Sequence, residues 1–335
     1  MVFIGMDHGT TGISFAISDD NGKILDVFKL SREDTKKGRV SAIKELSKRC
    51  NLDDVKLMAV TYAMGDGINK ILPMDKVENR GILSINGAGK VTGGGTSVYS
   101  EIENSNIPAV LIPGLHKNST SLDELFTAAY SHLASPEKIS IAYNAVKETN
   151  WNNLIVGDLS SNSVNILIEN GKIRGAMDAC LGAMGFIHGP IDLEMIRDID
   201  EGKRTANDCF SHAGAVKIAG IDTKVAFMKD ELLSRYEKGD KKAILAINSM
   251  IMTIAMEIGG LITVADEDID GIVLTGSLGS MKKPFDFEKE LNKYLKNKYP
   301  IKVISADSGA IGAVQIAHDI YNGKNEILGV EVELN

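Results

Sequence analysis

Two short segments of the sequence place a carboxylate directly before small and hydroxyl-bearing residues. The first is Asp7-His8-Gly9-Thr10-Thr11-Gly12, and the second is Asp158-Leu159-Ser160-Ser161-Asn162-Ser163. Backbone N–H groups in such loops bind phosphate oxygens, and a carboxylate can hold Mg²⁺ through its water shell. We therefore predict that Asp7 and Asp158 serve as catalytic and metal-binding residues. The residues predicted to contact phosphates are Gly9, Thr10, Thr11, Gly12, Ser160, Ser161 and Asn162.

A third segment, Leu274–Ser280, follows an apolar run and contains Gly276, Ser277 and Gly279. Glycines at the end of a strand allow the backbone to approach a flat ligand such as adenine or ribose. These three residues are predicted to contact the nucleoside, although one such loop is a weak signal by itself. Each carboxylate loop taken alone is also typical of a tight surface hairpin.

The elements around the two carboxylate loops follow the same order in both halves of the chain. In the first half, apolar strands over Ile4–Asp7, Ile13–Ile17 and Ile24–Leu30 are separated by the loop and by an Asn-Gly turn. In the second half, runs at Leu154–Asp158, Val164–Ile168 and Ile173–Met177 repeat that arrangement. The repetition predicts an internal duplication, the alternative being a chance likeness of two hairpins.

Further periodicity completes an α/β chain that we divide into domains at residues 1–145 and 146–335. The expected strands are Lys56–Tyr62, Ala109–Ile112 and Asp270–Gly276. The expected helices are Val40–Cys50, Leu122–Ala134, Asp230–Lys238, Lys241–Ala265 and Gly309–Tyr321.

Several other features have local interpretations. The residues Met250, Met252 and Met256 are predicted to lie in a helix core, and Cys180 is predicted to be buried and inert. The Gly259-Gly260 pair predicts a close helix contact or a kink. The glycine-dense stretch over residues 85–96 is interpreted equally well as a mobile loop over the site or as solvated hairpins.

Composition excludes several classes of function. The chain has 335 residues and a formal charge of −8, which argues against nucleic-acid binding. Its three cysteines form no CxxC pair, which argues against a disulfide framework or a zinc knuckle and favours the reducing cytoplasm. No apolar run approaches the roughly 18 residues of a spanning helix, so no membrane association is expected.

The loops at residues 5–12, 158–163 and 271–280, with Asp307–Ala313, resemble in order the motifs of the superfamily that includes acetate and sugar kinases, the Hsp70 ATPase and actin. This resemblance covers the whole chain. It implies a duplicated ribonuclease H-like, actin-like ATPase fold, with ATP and Mg²⁺ bound in an interdomain cleft that closes on the nucleotide.

The middle of the chain is most similar to acetate and butyrate kinases, and the whole is identified as a member of the archaeal methanogenesis marker protein 12 family. That family is grouped by genome context, so the resemblance implies a fold and a context but no reaction. Acyl-phosphate kinases have an arginine shortly after their glycine-proline segment, whereas Gly189-Pro190 here is followed by none before Arg197. Because loss of such an arginine costs orders of magnitude in rate, acetate kinase activity is not expected. Substitutes from another loop are Arg80, Lys90 or Arg197.

Two classes of function remain after these comparisons of motifs. One is an ATP-driven switch or assembly factor that binds a protein partner in a methanogen-specific pathway, and the other is a phosphotransferase for a small carboxylic acid or alcohol. A scaffold without nucleotide binding ranks third because Asp7, the Thr10-Thr11 pair and Gly276 are present. A homodimer is a further partner consistent with the sequence.

Overall fold

The structure is a computed structural model that describes residues 1–9, 12–84 and 93–334. Its contacts divide the chain into two compact units. The first unit comprises Met1–Asn150, Gly171–Arg174 and Asp307–Asn335, and the second comprises Trp151–Asn170 and Gly175–Ala306. The main change of unit therefore lies five residues beyond the predicted boundary of 145, and the C-terminal segment groups with the first unit.

The described residues form strands and helices, numbered separately in chain order. The strands are β1 Val2–Asp7, β2 Ile13–Ser18, β3 Ile24–Leu30, β4 Val55–Val60, β5 Leu72–Pro73, β6 Ala109–Leu111, β7 Leu115–His116, β8 His132–Ala134, β9 Leu154–Leu159, β10 Ser163–Glu169, β11 Lys172–Met177, β12 Gly271–Thr275, β13 Ile301–Val303, β14 Glu326–Ile327 and β15 Val330–Glu331. The helices are α1 Arg32–Lys36, α2 Ala42–Ser47, α3 Gly94–Glu103, α4 Glu124–Ala129, α5 Glu137–Thr149, α6 Leu193–Asp200, α7 Ala206–Phe210, α8 Ala215–Ala219, α9 Val225–Glu237, α10 Lys241–Val264, α11 Gly276–Gly279, α12 Phe287–Leu295 and α13 Ser308–Tyr321. Three 3-10 helices cover Leu52–Asp54, Met74–Lys76 and Glu78–Gly81.

The two main sheets share one strand order, which confirms the predicted duplication. The first sheet runs β3-β2-β1-β4-β6-β5, and the second runs β11-β10-β9-β12-β13. In each sheet the central strand pairs antiparallel with the next strand in sequence and parallel with a later one. The predicted α/β class with a duplicated ribonuclease H-like arrangement is therefore confirmed.

The predicted Asn-Gly turn in the second half is present and has a clear backbone cause. Asn170 has φ 51° and Gly171 has φ 71°, so both central residues occupy the left-handed region that a two-residue hairpin requires. Asn and Gly are the residues that adopt this conformation most readily. The turn therefore fixes the register that joins β10 to β11.

The C-terminal helix α13 packs closely on β1 and α5 in the first unit. A Cβ on Gly5 would lie 2.2 Å from the backbone nitrogen of Val314, and one on Gly312 would lie 1.8 Å from the carbonyl oxygen of Ser140. Side chains at these points would force the backbones apart. The glycines therefore allow α13 to lie against the strand whose last residue is Asp7.

Helix α10 is the long apolar helix of the second unit. Asp240 caps it by accepting a hydrogen bond from the Ala243 amide at 2.9 Å. Its length and composition would allow it to cross a membrane, but half of the relevant window is buried within the protein, which is typical of a core helix. The buried positions recur at the spacing of one helical face: Ala243, Ala246, Ile247, Met250, Ile251, Ile254, Ile258 and Leu261.

Some local predictions are wrong. Within the helix predicted over Leu122–Ala134, the structure has only the short helix α4, and the last three residues form strand β8. Leu125, which the predicted helix would bury, is 74% exposed. The helix predicted over Val40–Cys50 is limited to α2, where Ser41 caps the first turn. Helix α5 was missed, although Pro136 followed by Glu137 is a typical start signal.

The side-chain predictions for the second unit also need correction. Met250 is buried as predicted, but Met252 and Met256 are exposed on the outer face of α10. The predicted close contact or kink at Gly259-Gly260 is wrong, because α10 is continuous there and no described atom beyond the adjoining backbone of α10 lies within 4 Å of either added Cβ. Cys180 is exposed rather than buried. Partial burial of its thiol, with Asp178 nearby, still raises the thiol pKa to about 11, so it is protonated at neutral pH.

Candidate functional site

Asp7 is the last residue of β1 and lies at the carboxyl end of the first sheet. It pairs with Ser14 across the antiparallel ladder, and its carboxylate lies against the first turn of α13. A Cβ on Gly309 would come within 2.5 Å of Asp7 Oδ2. The N-terminal end of a helix favours negative charge, both from a carboxylate and from a bound phosphate. The predicted metal residue is therefore at a position suited to anions and their counterions.

The loop after Asp7 is held by main-chain and guanidinium contacts. Arg32 Nη1 donates to the Gly9 carbonyl at 2.9 Å, and the His8 amide donates to Thr61 Oγ1 at 3.1 Å. Gly12 lies under the aliphatic part of Lys29, where a Cβ would overlap. The predicted phosphate ligands Thr10 and Thr11 lie outside the described residues.

The corresponding part of the second unit brings Asp158 and Gly276 together. Asp158 lies on β9, paired in parallel register with Thr275 at the end of β12. Gly276 has φ 81°, and a Cβ there would lie 2.8 Å from Asp158 Oδ1 and 2.3 Å from the Leu159 carbonyl oxygen. Only a glycine allows this left-handed turn beside the carboxylate. Two of the predicted loops are thus adjacent within the second unit.

The Ser160–Asn162 loop is partly occupied by internal hydrogen bonds. The Ser160 amide donates to the Asn162 carbonyl at 2.7 Å, so it is not available to a phosphate in this conformation. Asn162 Nδ2 donates to Asp178 Oδ1 at 2.8 Å. The carbonyl of Ser161 accepts from the amides of Ile187 and His188. Asn162 therefore holds neighbouring loops in place in addition to its predicted ligand role.

The third predicted loop forms the short helix α11 at the carboxyl end of β12. Ser277 is exposed, whereas Gly279 is buried, and a Cβ at Gly279 would lie 3.5 Å from Leu274, which is an ordinary van der Waals contact. Ser280 is tied back to the Gly276 carbonyl by its hydroxyl at 2.7 Å. Ser277 is therefore the residue of this loop that a ligand can reach directly.

Sequence reasoning missed the groups around Tyr62 at the carboxyl end of β4. Tyr62 is 1% exposed, and its hydroxyl is 2.8 Å from Thr96 Oγ1. Its ring centroid lies 5.2 Å from that of His8 and 4.8 Å from that of Tyr99. The only sequence signal was that Thr61 and Tyr62 directly follow a buried parallel strand, where ligand sites tend to form.

His8 is a neutral group in this arrangement. Burial is the largest cause that lowers the pKa of its imidazole, to about 4, and Arg32 acts in the same direction. The ring packs on Gly95 at the start of α3, where an added Cβ would lie 1.6 Å from Nε2. Residues 94–96 are thus the first turn of a helix, while residues 85–92 of the glycine-dense stretch lie outside the described part of the chain.

His116 has a structural role. It is 3% exposed, its Nε2 lies 2.8 Å from the Ile68 carbonyl, and its Nδ1 accepts from the Asn118 amide. Of the basic substitutes weighed above, Arg197 is exposed on α6, Arg80 lies near Tyr62, and Lys90 falls outside the described residues.

Two cavities of about 440 and 500 Å³ lie in the first unit, near Leu57 and Ile107. Both adjoin the amino ends of β4 and β6, whereas ligands of open α/β sheets bind at the carboxyl ends of the strands. We therefore base the candidate residues of the first unit on Asp7 and Tyr62, and those of the second unit on Asp158 and Gly276, rather than on cavity size.

Relatives from other organisms match this chain over nearly its whole length. A UPF0285 protein from Methanothermobacter thermautotrophicus is 60% identical over 334 residues, covering 100% of this chain and 99% of the relative. The chain belongs to the UPF0285 family. A second UPF0285 protein, from Methanocaldococcus jannaschii, is 51% identical over 333 residues, covering 99% of both chains. No protein-family model matches the chain.

Solved structures share the fold of this UPF0285 chain at low identity. A propionate kinase from Francisella tularensis has a TM-score of 0.65 at 15% identity, covering 95% of this chain and 99% of the other. An acetate kinase from Porphyromonas gingivalis has a TM-score of 0.64 at 12% identity, with the same coverage. A ROK family glucokinase from Streptomyces griseus, in complex with glucose and AMPPNP, has a TM-score of 0.51 at 14% identity, covering 95% and 100%. These likenesses confirm the predicted fold, and at this identity they show the fold alone.

A buried carboxyl group stands behind the second-unit loop of the UPF0285 chain. Glu257 of α10 is 6% exposed and accepts hydrogen bonds from Asn165 Nδ2 at 2.7 Å and from the Ala183 amide at 2.5 Å. Burial is the largest influence on it and raises the pKa of the carboxyl to about 7. Asn162 of the predicted phosphate loop donates a hydrogen bond to Asp178, whose carboxylate acts on the pKa of Glu257.

Glu257 predicts a pH dependence of stability. Its pKa is about 7 when folded and 4.5 when unfolded, so the unfolded chain loses the proton first and stability falls as pH rises from 4.5 to 7. The loss is at most about 3 kcal/mol. Urea unfolding at pH 5 and pH 8 measures it, and Glu257→Gln should show a smaller difference between the two. The exposed Glu237→Gln is the control, and equal pH dependence in wild type and Glu257→Gln would contradict the assignment.

Proposed function

We propose that this chain binds Mg-ATP and acts in the cytoplasm as an ATP-dependent switch or assembly and activation factor for a protein partner in a methanogen-specific pathway. We also propose that its family is the one known as methanogenesis marker protein 12. The supporting observation is that both units have the same strand order and each places an aspartate, Asp7 or Asp158, at the carboxyl end of its central strand.

In this proposal each loop has a separate task. Asp7 binds Mg²⁺ through its waters, and residues 9–12 bind phosphates at the first turn of α13. Asp158 binds water or metal, residues 160–162 contact a phosphate, and residues 276–279 contact the adenosine. The glucokinase that shares this fold was solved with AMPPNP, which supports a nucleotide as the ligand.

A switch needs a nucleotide-dependent difference in affinity for a partner, and it does not need fast chemistry. The chain has no arginine just after Gly189-Pro190, where acyl-phosphate kinases neutralise the transferred phosphoryl group. Slow hydrolysis stimulated by a partner is therefore expected. The second candidate, a phosphotransferase for a small carboxylic acid or alcohol, is favoured by one observation, the guanidinium of Arg32 beside the loop at Gly9. It predicts ATP consumption that depends on the substrate.

Ser277 provides a test of the adenosine contact. A substitution at Gly276 would overlap the Leu159 backbone and disturb the fold, whereas the Ser277 side chain is exposed. Ser277→Phe should therefore weaken Mg-ATP binding at least about 10-fold by filling the space over the nucleoside. Ser277→Ala is the matched control and should bind within about twofold of wild type. Calorimetric titration measures both, and unchanged affinity in a folded Ser277→Phe protein would remove this loop from the site.

A further inference from the structure

The groups around Tyr62 form a second polar site in the first unit, beside the Asp7 loop. We call it the Tyr62 cluster, and it consists of His8, Arg32, Tyr62, Arg80, Thr96 and Tyr99. We propose that this cluster binds a small oxyanion, either the carboxylate of an organic acid or a phosphate group. Its role as an acceptor site in turnover rests on the proposed function, whereas binding of the anion itself does not.

Two arginines give the Tyr62 cluster positive charge. Arg32 is half-buried, and burial lowers the pKa of its guanidinium, which nonetheless remains protonated. It has five N–H donors, and its contact with the Gly9 carbonyl uses one of them. Arg80 is the second cation of the cluster, with its guanidinium carbon 5.8 Å from the Tyr62 ring centroid. Within residues 1–9, 12–84 and 93–334, neither arginine forms an ion pair with a carboxylate.

Tyr99 contributes a buried hydroxyl to the Tyr62 cluster. Tyr99 is 0% exposed, and its hydroxyl has no hydrogen-bond partner among the described residues. Burial is the main cause that raises the pKa of this phenol, followed by the carboxylate of Glu103 and by Tyr62, whereas Arg80 lowers it. The Tyr99 ring centroid lies 4.8 Å from that of Tyr62, so the two phenols are neighbours. A buried hydroxyl without a partner costs about 1–3 kcal/mol, so it is expected to have a ligand or water partner.

The backbone that presents Arg80 has an uncommon conformation. Asn79 and Arg80 have φ values of 48° and 59°, in the left-handed region that residues other than glycine seldom adopt. Such conformations cost about 1–3 kcal/mol each and are concentrated at binding sites. Because neutral His8 and the two tyrosines add no negative charge, the cluster favours an anion whose oxygens accept from guanidinium and hydroxyl donors.

Two carboxylates lie near the cluster, and within the described residues neither forms an ion pair with Arg32 or Arg80. Glu103, which raises the pKa of Tyr99, is exposed at the end of α3. Glu137 acts on the pKa of His8, but its carboxylate is paired with Lys138 Nζ at 2.8 Å and with the Ser135 hydroxyl. Within the part of the chain that the structure describes, the remaining guanidinium donors of Arg32 and Arg80 are therefore left for an external anion of small size. Guanidinium groups bind both carboxylate and phosphate in a bidentate way, so the experiment must distinguish them.

The test uses the full chain without nucleotide or magnesium, so its outcome is independent of Mg-ATP binding. The melting temperature is followed against sodium acetate and against sodium phosphate, with sodium chloride at equal ionic strength as reference. A saturable rise with acetate alone identifies an organic carboxylate, and a rise with phosphate alone identifies a phosphate group. No saturable rise with either anion would overturn the proposal.

Variants connect the response to the cluster. Arg32→Gln and Arg80→Gln should each weaken the apparent anion affinity by about 10-fold or more. Arg39→Gln removes the same charge from an exposed arginine paired with Asp34 and should leave the affinity unchanged. Equal weakening in Arg39→Gln would show a general charge effect and overturn the site.

Tyr99→Phe keeps the proposal testable if Arg32→Gln does not fold. It removes only the hydroxyl, so the melting temperature without anion should not fall, while anion affinity should fall about threefold or more. An unchanged anion affinity in folded Tyr99→Phe and Arg80→Gln would show that the cluster is structural only.

Discussion

Replacing Asp7 with alanine is expected to weaken Mg-ATP binding by about 10- to 100-fold, because a charge-assisted contact contributes about 1.5–3 kcal/mol. The carboxylate lies at the carboxyl end of β1 and against the first turn of α13, where it would hold the water shell of the metal. The binding of ADP without metal should change much less. Titration calorimetry with each ligand measures the difference.

The control for Asp7→Ala is Asp54→Ala, which removes the same charge from an exposed position in the first unit. Asp7→Asn adds a second comparison, since it keeps the size of the side chain and removes only its charge. Thermal melts of all three variants check that the first unit is folded. Equal losses of affinity for Mg-ATP and for metal-free ADP would contradict the metal role of Asp7.

Replacing Gly312 with valine is expected to destabilise the first unit by about 4 kcal/mol or more, because overlaps with backbone atoms cannot be relieved by side-chain rotation. The added Cβ would lie 1.8 Å from the Ser140 carbonyl oxygen, where α13 crosses α5. A displacement of α13 that relieves this overlap would also move Gly309 away from Asp7. Urea unfolding followed by circular dichroism measures the loss, and loss of soluble protein is the extreme form of the same result.

The matched control is Gly260→Ala on α10. Among the described residues, no atom beyond the adjoining backbone of α10 lies within 4 Å of a Cβ at this position, so the substitution should raise stability by about 0.5–1 kcal/mol through helix propensity alone. A Gly312→Val protein as stable as wild type would contradict the close packing of α13 that places the Asp7 loop.

The sequence was sufficient to predict the repeated part of the fold. Strand periodicity and the Asn-Gly turn located β9, β10 and β11 because these features depend on neighbouring residues. Helix α10 was predicted nearly to the residue, since its apolar face continues over 24 residues and Asp240 caps its start. Local signals of this strength leave little for tertiary contacts to decide.

The regions where prediction failed depend on long-range contacts. The residues after Ala129 have helix-like spacing, but His132–Ala134 pair with Leu115 and His116, which are distant in sequence. The exposure of Met252 and Met256 depends on which side of α10 meets its neighbours. The Tyr62 cluster gathers residues from five separate segments, and neither spacing nor composition reveals such a site.

The sequence predicted where some candidate ligands lie in the fold, but it did not predict the hydrogen bonds that others make. Asp7, Asp158 and Gly276 follow apolar strands directly, so their placement at the carboxyl ends of parallel strands could be inferred from order alone. The internal hydrogen bonds of Ser160 and Asn162 could not, because Asp178 reaches that loop only through the folded hairpin. Their roles as phosphate ligands remain predictions.

Calorimetric titration of the purified wild-type protein with Mg-ATP tests most directly whether this UPF0285 chain binds the nucleotide. Saturable binding with a Kd in the micromolar range, about −8 kcal/mol, is the predicted result. An absence of binding in protein whose thermal melt shows it to be folded would contradict the nucleotide site and favour a scaffold role instead.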